Sequence, residues 1–561
     1  MSWSSVTTAV TFADLGTYSE LEGFLYGGPE AITWFVAAVQ KANWFSLVPI
    51  VLRHDGLVDF GTKRSSASVN RSGDYVLNTW FRCQIPRIQL FDAGTAIYVD
   101  ASLRWTRNLM HNLFTRVSIS FNELVVHEFD NFWLDCNFVF RVPSNKRLIY
   151  DNMIGNVSDM TTAVPRNTAL GTGGYFSVVL PFFFGEDSGV ALPVAAVPLN
   201  DVKINYELRR WQELVVVFPG TAAGGAPGTR IAALGDVKQY TNSSLDPQLL
   251  DSTTNAHYAV VHNDERVKMG DAPRDIPIHQ TQSIQLVPFK DVSSATSFDL
   301  RLSHAIVLFC FAALNTTINT FTSGACGQEL SNYTTEPNYA GLDPIAYTTL
   351  VYENSVRLSN GSDYYSYIFP FLYADGAATE PEHTGMHMFS YSIKPWSPLS
   401  PAGSTNFSKL SNVSCTHTMS PACIAAAAST ALDSSGVAIQ WPTGTPSALA
   451  NMPQTFSHAF VARNWNIVRV ANALTMGRNR QLPCVSTGVN SYCLVSCQHE
   501  ARYLGAGNSQ HLQLLPSLGD LRRAPRVMTS GGITLKWRQS AGLPSLRDGV
   551  STTERISVAC A

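Results

Sequence analysis

Strict alternation of apolar and polar residues marks several short stretches of the chain. In DVKINYELRRW, every second residue from Val202 to Leu208 is apolar and the residues between them are charged or amide-bearing. A period of two places the apolar side chains on one face of an extended chain, so the pattern predicts a strand with one buried face. The segments RVSISF and SFDLRL alternate in the same way.

Other stretches are apolar without interruption. AIVLFCFAAL (residues 305–314) is flanked by turn-forming residues, which favours a strand buried on both faces over a helix. Short strands recur at spacings typical of a sandwich, and they do not alternate with helices as the strands of a parallel sheet would. The pattern therefore predicts an all-β, antiparallel protein.

Two segments depart from the strand pattern. In LYGGPEAITWFVAAVQKANWF, Pro29 suits a first helical turn and the apolar residues that follow share one face, which predicts a short helix over 29–41 packed on the β body. The segment Phe218–Asp236 is rich in Gly, Ala and Pro and divides the chain into comparable halves. It is the best candidate for a linker or long loop.

The last eighty or so residues also contain strand patterns. GGITLKWRQS and ERISVACA both alternate. We expect them to dock on the chain's own body or on a neighbour.

Charge is scarce in this chain. Of its 561 residues 14% are charged, against about 25% in an average protein, and the net charge is −3. The length predicts two or more domains, and a weakly charged surface tolerates burial against other copies. Strong phosphate binding needs clustered Lys and Arg, and no basic tract is present, so direct binding of nucleic acid is not expected.

The ten cysteines are too few for a disulfide scaffold, so we expect buried free thiols rather than a bridge between Cys415 and Cys423. The N-terminus lacks the basic start and apolar core of a signal peptide. The best candidate for a membrane span, VVLPFFFGEDSGVALPVAAVPL, contains prolines and two acidic residues and predicts strand–loop–strand. These features predict a soluble protein made in a reducing compartment.

Eight Asn-x-Ser/Thr patterns suggest secretion at first sight, and two of them lie in PAGSTNFSKLSNVSC. Without a signal sequence most of them should not meet the glycosylation machinery. We expect Asn406 and Ser408 to hydrogen-bond backbone groups in a turn that feeds a strand.

Candidate chemical sites are few. Cys493, Cys497 and His499 lie close together as metal ligands do, but no second matching pair exists, so core thiols are the better interpretation. Cys326 in GACGQ is flanked in the wrong order for a cysteine nucleophile, which favours a loop. The segment 262–270 combines His, Asp and Glu but is read as a charged turn after the strand YAVV.

An aromatic patch at Asp363, Tyr364 and Tyr365 is the remaining candidate, as a sugar-binding surface. The commoner explanation is a turn that leads into a half-buried strand. No P-loop, nucleophile elbow or zinc-protease motif is present. We therefore predict no catalytic, cofactor-binding or metal-binding residues, and no enzyme activity.

Several ordered segments of the first half resemble the major capsid proteins of nucleocytoplasmic large DNA viruses. The N-terminal LYGGPEAITWFVAAVQKANWF is similar to the segment before the family's first barrel. VNRSGDYVLNTWFRCQIP carries the Arg-x-Gly-Asp strand at Arg71–Asp74, and LIYDNMIGN carries Tyr-x-x-Met-Ile-Gly at Tyr150–Gly155. LPFFFGEDSGVALPVAAVPLNDVKINYELR resembles the strand–loop–strand that closes that barrel.

The second half continues the resemblance to about residue 477. YAVVHNDERVKM resembles the opening strand of the second barrel, and FDLRLSHAIVLFCFA its Leu-Arg-x-x-His strand. LVYENSVRLSNGSDYYSYIFPF, SYSIKPWSPLSPAGSTNFSKLSNV and ARNWNIVRVANALTMG resemble later segments in order. Departures include FNE in place of paired glycines, Ala305 where proline is common after His304, and an extension beyond the family's usual end.

The resemblance implies two consecutive eight-stranded antiparallel jelly rolls, a double jelly roll with a short N-terminal helix and a β-containing C-terminal extension. We expect an N-terminal arm with the helix (1–42), a first jelly roll (43–218), a linker (219–254), a second jelly roll (255–477) and the extension (478–561). Long polar segments at 312–345 and 411–446 are expected to be loops on the outer face.

The resemblance also implies a structural function. Three chains would form a pseudo-hexagonal capsomer of an icosahedral double-stranded DNA virus shell, in a virion assembled in the host cytoplasm. Expected partners are the chain itself as a homotrimer, neighbouring capsomers, minor capsid proteins and, indirectly, an internal viral membrane. The alternatives are a related double-jelly-roll scaffold that shapes a viral membrane, or a β-sandwich carbohydrate-binding protein.

Overall fold

A computed structural model describes residues 12, 16–17, 19–33, 35, 42–92, 98–197, 201–218, 220–222, 232–271, 274–320, 328–336, 339, 341–379, 383–428, 453–470 and 485–487. Strands are the predominant regular elements of the described chain. The strands of the first half are β1 Phe45–His54, β2 Ser65–Ser68, β3 Tyr75–Gln84, β4 Ile88–Leu90, β5 Tyr98–Val99, β6 Ser102–Trp105, β7 Phe114–Phe121, β8 Leu124–Phe129, β9 Val164–Pro165, β10 Tyr175–Leu180, β11 Val202–Leu208, β12 Val215–Phe218, β13 Thr221–Ala222, β14 Val237–Gln239 and β15 Leu250–Val261. The strands that follow are β16 Arg274–Pro288, β17 Thr296–Asp299, β18 Ala305–Asn315, β19 Ile345–Tyr352, β20 Ser355–Gly361, β21 Met386–Ser390, β22 Thr405–Asn406, β23 Val413–Met419, β24 Phe456–Val470 and β25 Val485–Thr487.

The helices that the structure describes over consecutive residues are short. In chain order they are α1 Glu20–Tyr26, α2 Leu109–Asn112, α3 Asn131–Arg141, α4 Ser144–Ile154, α5 Ser158–Thr161, α6 Trp211–Leu214, α7 Asn263–Asp271, α8 Thr317–Thr320, α9 Phe369–Tyr373 and α10 Pro421–Ala427. Single 3-10 turns lie at Phe183–Gly185, Ser188–Val190, Val194–Ala196, Leu234–Asp236 and Phe407–Lys409, and a π-helical turn lies at Tyr364–Ile368. No helix in these ranges is long and apolar enough to cross a membrane.

Residues 1–44 form a unit separate from the rest of the chain. It contains α1, which follows Ser19, whose backbone N–H donates to the Glu22 carboxylate at 3.1 Å. The predicted helix over 29–41 is wrong where it is described: residues 29–30 form a turn and 31–33 have no regular structure. The rest of that range, apart from Phe35 in a bend, lies outside the described residues. Two glycines after Tyr26 end the helix before Pro29 can start one.

The first half, residues 45–261, is an antiparallel jelly roll. Its main strands follow the order β10-β3-β15-β1 and then β2-β11-β7-β8, with β1 bridging the two groups through its last residues. Strand β11 alternates buried and half-buried side chains from Val202 to Leu208, as the sequence predicts. The short strands β4, β5, β6, β9, β12, β13 and β14 form small accessory sheets.

The second half, residues 274–470, repeats this order. One sheet runs β16-β24-β18-β21 and the other runs β17-β23-β19-β20. Each half therefore stacks two sheets, and the strands of the two halves follow the same order along the chain. When the first sheet is read from β1, its strands β1, β15, β3 and β10 correspond to β16, β24, β18 and β21. The predicted double jelly roll is confirmed.

One strand was assigned to the wrong half. Strand β15, which includes YAVV, was read as the opening of the second barrel, but it pairs with β1 and β3 of the first sheet. The expected linker 219–254 accordingly contains β13, β14 and the start of β15 where it is described. The segment after β15 is the helix α7 and not a charged turn.

The position of β18 between two cores explains why its sequence is apolar without interruption. Leu308, Cys310, Ala312 and Leu314 pack in a core shared with the first half. The residues between them, from Phe309 to Ala313, pack inside the second jelly roll. The sheet containing β18 is thus covered on both faces, as the pattern predicts.

The segments expected to be outer loops are partly structured and buried. Residues 413–419 form strand β23 and 421–427 form helix α10. In the other segment, Glu329 and Asn332 are 1% exposed. The Asn332 side chain donates to the Glu336 carbonyl and accepts from the Thr334 N–H, and the Glu329 carboxylate pairs with Arg104. Such interior partners cannot be recognised from a count of polar residues along the chain.

Three smaller predictions concern the cysteines, the turn at Asn406 and the C-terminal extension. The described cysteines, Cys83, Cys136, Cys310, Cys415 and Cys423, are free and buried, which confirms the expectation for Cys415 and Cys423. The Asn406 side chain accepts from the Ser408 backbone N–H at 3.0 Å, and the Ser408 hydroxyl accepts from the His304 N–H at 2.8 Å, as predicted. In the extension, β25 pairs with β24, while GGITLKWRQS and ERISVACA lie outside the described residues.

Candidate functional site: the polar junction between the two halves

The residues considered as candidate sites in the sequence do not form a site in the described part of the structure. Cys326, Cys493, Cys497 and His499 lie outside the described residues. Within the described ranges, no three His, Cys, Asp or Glu side chains meet as a metal site would require. The segment containing Tyr365 is helical, not a turn into a strand, and the Tyr365 ring is fully buried.

The densest polar chemistry lies where the two jelly rolls meet, and we call this surface the junction. Its first cluster centres on Glu186, which follows the 3-10 turn after β10 and is buried. Arg463 on β24 donates to both carboxylate oxygens at 2.5 and 2.6 Å. His279 on β16 lies 3.1 Å away through Nδ1, and Arg141 on α3 lies 3.7 Å away. One carboxylate from the first half thus holds two side chains of the second.

The charges of this cluster stabilise one another. Burial opposes ionisation of Glu186, but the guanidinium of Arg463 and the hydrogen bond with His279 together lower the pKa of Glu186 to about 2. Burial lowers the pKa of Arg463 to about 10, so both groups are charged at neutral pH. Burial and the charge of Arg463 lower the pKa of His279 to about 4, so its ring is neutral there.

A second cluster centres on Asp135 of α3. On the first-half side, Asn108 donates to it at 2.9 Å and the ring of His111 lies 2.7 Å away. On the second-half side, the hydroxyls of Ser331 and Tyr333 donate to it at 2.7 and 2.8 Å. Burial raises the pKa of Tyr333 well above its usual value, so the phenol keeps its proton and donates.

A third cluster pairs Arg104 of β6 with Glu329 of the second half, and the Tyr339 hydroxyl donates to the same carboxylate. The Arg107 guanidinium lies 4.7 Å from the Tyr339 ring centroid. A cavity of about 30 Å³ lies beside this cluster and that of Asp135. Its volume suits a water molecule or two and is far too small for an organic substrate.

Apolar contacts fill the space between the clusters. The rings of Trp133 on α3 and Trp396 of the second half are 6.1 Å apart. The thiol of Cys136 on α3 meets that of Cys310 on β18, and burial together with this neighbour raises the pKa of Cys136 well above its usual value. The Cys136 thiol therefore stays protonated, and a buried thiol acts as a small apolar group.

Edge strands of the two halves also meet. Strand β8 ends the order of the first sheet and β16 begins that of the second half. Side chains, not a backbone ladder, connect them: Gln280 donates to the Val126 carbonyl and Thr281 to that of Glu128. Both edges are thereby blocked from pairing with another chain.

This arrangement performs no acid–base or nucleophilic chemistry. The Glu186 carboxylate is held ionised by the neighbouring cations, and the Cys136 thiol keeps its proton. Buried pairs of this kind are costly to break and depend on geometry, so they fix the orientation of the two halves more than they add stability. The junction therefore has a structural role, which is to hold the two halves in one orientation.

Sequence reasoning missed the junction residues, although a signal was present. Glu186 lies in LPFFFGEDSG, Asp135 in FWLDCNF and Arg463 in FVARNW. A charge inside an apolar run predicts a buried ion pair, because an unpaired buried charge is too costly. The partners are not predictable from the pattern, since Glu186 and Arg463 are 277 residues apart.

Comparisons with known proteins identify the chain's relatives. Residues 33–247 match the family model described as major capsid protein N-terminus, and 265–476 match that of the large eukaryotic DNA virus major capsid protein. The major capsid protein of Wiseana iridescent virus is 41% identical over 492 residues, which cover 85% of this chain and 94% of that protein. The chain belongs to the major capsid proteins of large eukaryotic DNA viruses.

A more distant relative is also a major capsid protein, and two solved structures share the fold. The major capsid protein of Rana tigrina ranavirus is 33% identical over 84% of this chain and 98% of its own length. Two solved structures share the fold at low identity: a PBCV-1 virus capsid chain (TM-score 0.55, 17% identity, 78% of this chain and 98% of that chain) and the Faustovirus major capsid protein (TM-score 0.52, 11% identity, 81% and 95%). As a major capsid protein the chain has a structural role in the viral capsid, and we assign it no enzyme activity.

Proposed function

We propose that three copies of this chain form a pseudo-hexagonal capsomer, and that such capsomers build an icosahedral shell in the host cytoplasm. The observation that supports this is the repetition of strand order in the two halves, held together by the junction. Two similar barrels fixed side by side in one chain give six similar units in a closed ring of three. Obligate interfaces of such a ring tolerate this chain's low surface charge.

Further partners belong to the same proposal. Neighbouring capsomers, minor capsid proteins and, indirectly, an internal membrane are the expected contacts of the assembled shell. The extension 478–561 is proposed to reach one of them beyond the point where β25 pairs with β24. We propose that the arm ends near 42, that the two jelly rolls are divided between residues 261 and 274, since β15 pairs within the first, and that the extension begins near 477.

Sedimentation of the purified full chain tests the proposal. A species of three times the chain's 61.3 kDa mass is expected. A monomer at every accessible concentration would contradict it. Presence of the chain in mature particles separates a capsid role from that of a scaffold that is discarded.

A test of the extension uses deletion of residues 488–561, which retains β25. We expect the trimer to persist while shell formation is lost. Failure of the shortened chain to fold would show that these residues belong to the core.

A further inference from the structure

The two halves repeat a helix as well as their strands. In the first half, α3 follows β8, the last strand of its sheet. In the second half, the helical segment Tyr364–Tyr373 follows β20, the strand at the same place in the order. We call this segment the second-half helix. Its Tyr365 and Phe369 are buried and anchor it to its own barrel.

Within the chain, α3 covers the outward face of the sheet β16-β24-β18-β21. Cys136 meets Cys310, and the outward residues of β24, Ala459 and Val461, join the core that contains α3. This contact leaves no apolar side chain of β18 exposed. The first barrel's helix is thus the cover of the second barrel's sheet.

The equivalent sheet of the first half has an apolar outward face that no helix among the described residues covers in this way. On β1, Phe45, Leu47 and Val51 point away from the core and are 60%, 52% and 60% exposed, while Leu52 points inward and is buried. Val179 on β10 belongs to the same face and is 40% exposed. An antiparallel sheet with one solvated face normally carries polar residues there. We call this surface the open sheet face.

The second-half helix has the complementary character. Ile368, Phe371 and Leu372 are 49%, 83% and 60% exposed. Large apolar side chains grouped in this way on a surface mark an interaction site. The exposed apolar side chains of each surface amount to roughly 400–500 Å², a large part of the about 800 Å² that each partner buries in a standard interface.

We propose that the second-half helix of one copy covers the open sheet face of the next copy, as α3 covers the second-half sheet within one copy. The inference rests on the proposed trimer and names its contact surfaces. Because the two surfaces differ and lie on different barrels, the contact is head-to-tail, and repetition around a ring satisfies both surfaces of every copy. Each barrel of the ring then covers the sheet of the following barrel.

The test uses two variants of the full chain, each with one damaged surface. Leu47→Asp with Val51→Asp places carboxylates on the open sheet face, and Phe371→Asp with Leu372→Asp places them on the second-half helix. We expect wild type to sediment as a trimer and each variant as a monomer. Val356→Asp is the matched control, because Val356 is 64% exposed at the far end of β20 from the helix, and it should sediment as wild type does.

Mixing the two variants is the decisive arm. Each retains the surface that the other has lost, so one intact contact forms and a complex of one copy of each variant is expected. Recovery of this complex also shows that both variants are folded. If a variant unfolds, Val51→Ser and Phe371→Ser replace the charged substitutions, with weakened trimers expected from each.

The outcomes separate the inference from the function on which it rests. A wild-type trimer accompanied by trimeric variants would overturn the inference alone. Monomeric variants that form no mixed complex would also overturn the inference. In that case the intact helix of one variant does not bind the intact open sheet face of the other. A monomeric wild type would overturn the proposed trimer and the inference together.

Discussion

Strands β18 and β1 lie in equivalent sheets of the two halves, and both carry apolar residues on two faces. Both faces of β18 are covered within the chain, one by its own barrel and one by the first half. Strand β1 has one covered face and leaves Phe45 and Leu47 more than half exposed on the other. The same pattern therefore serves one contact made during folding and, in the proposed trimer, one made with another copy.

The two contacts also differ in charge. The covered face of β18 is bordered by buried groups such as Glu186 and Arg463, which suit a contact that forms once and keeps one geometry. The exposed side chains that define the open sheet face, such as Phe45 and Leu47, are apolar. An apolar contact without buried charge is easier to separate than one fixed by buried ion pairs.

Substitution of Arg463 by Met is expected to have the largest effect on the covered side. It leaves Glu186 buried without its main cation, which costs about 3–5 kcal/mol of the free energy of unfolding. Urea unfolding measures the loss. A second substitution, Glu186→Gln, should recover part of it.

Arg469→Met is the matched control for this prediction. Arg469 lies on the same strand and pairs with Asp275 at 2.6 Å, but both side chains are about half exposed or more. We expect no measurable change in stability. An equal loss in the two variants would show that the junction charges are not special.

Truncation of β18 tests whether its outward face is covered. Leu308→Ala should cost about 2–5 kcal/mol, because it opens a cavity against the first half. Leu47→Ala, at the equivalent open surface of β1, should change the stability of the monomer by no more than about 0.5 kcal/mol. Similar losses measured for both would contradict the comparison.

Acid should weaken the covered junction through its neutral histidines. Burial lowers the pKa of His127 to about 3, and the ring packs against Phe129 and Phe182. Because the unfolded chain takes up a proton below pH ~6.5 and the folded one does not, stability is full above that pH and falls as the pH drops toward 3. A shift of this size is worth about 3 kcal/mol at pH 4.

His127→Phe isolates this contribution. Neither ring nitrogen of His127 has a hydrogen-bond partner in the described part of the chain, so an apolar ring fits its environment. The variant should lose less stability than wild type between pH 6.5 and 4 in unfolding titrations. The exposed His262→Gln control should keep the wild-type slope; an unchanged slope in His127→Phe would refute the assignment. Glu186 adds a separate loss below pH ~4.5, because its pKa is lowered to about 2.

Local patterns predicted the strands well and their partners poorly. Alternation in β11 and the unbroken apolar run of β18 gave the correct element and the correct burial, since both depend on neighbours two residues away. Strand β15 was placed in the wrong barrel because its partner β1 is some 200 residues earlier and nothing in YAVV specifies it. Pairing between distant strands is a property of topology, not of local sequence.

Helical segments were predicted less well. The aromatic run after Asp363 was read as a turn into a strand because Tyr and Phe favour strands, but tertiary packing of Tyr365 and Phe369 holds it in a helix. The junction clusters were missed for the reason that applied to β15. Each cluster joins residues from both halves. In the sequence, only the charges embedded in apolar runs indicated that buried partners were needed.

The central claim is that β1 is covered by another copy whereas β18 is covered within its own. Hydroxyl-radical footprinting, read by mass spectrometry, measures this directly on the wild-type trimer and on the monomeric Phe371→Asp, Leu372→Asp variant. We expect Phe45 and Leu47 to be labelled in the monomer and protected in the trimer, and Phe309 to be protected in both. Equal labelling of Phe45 and Leu47 in the two states would contradict the account.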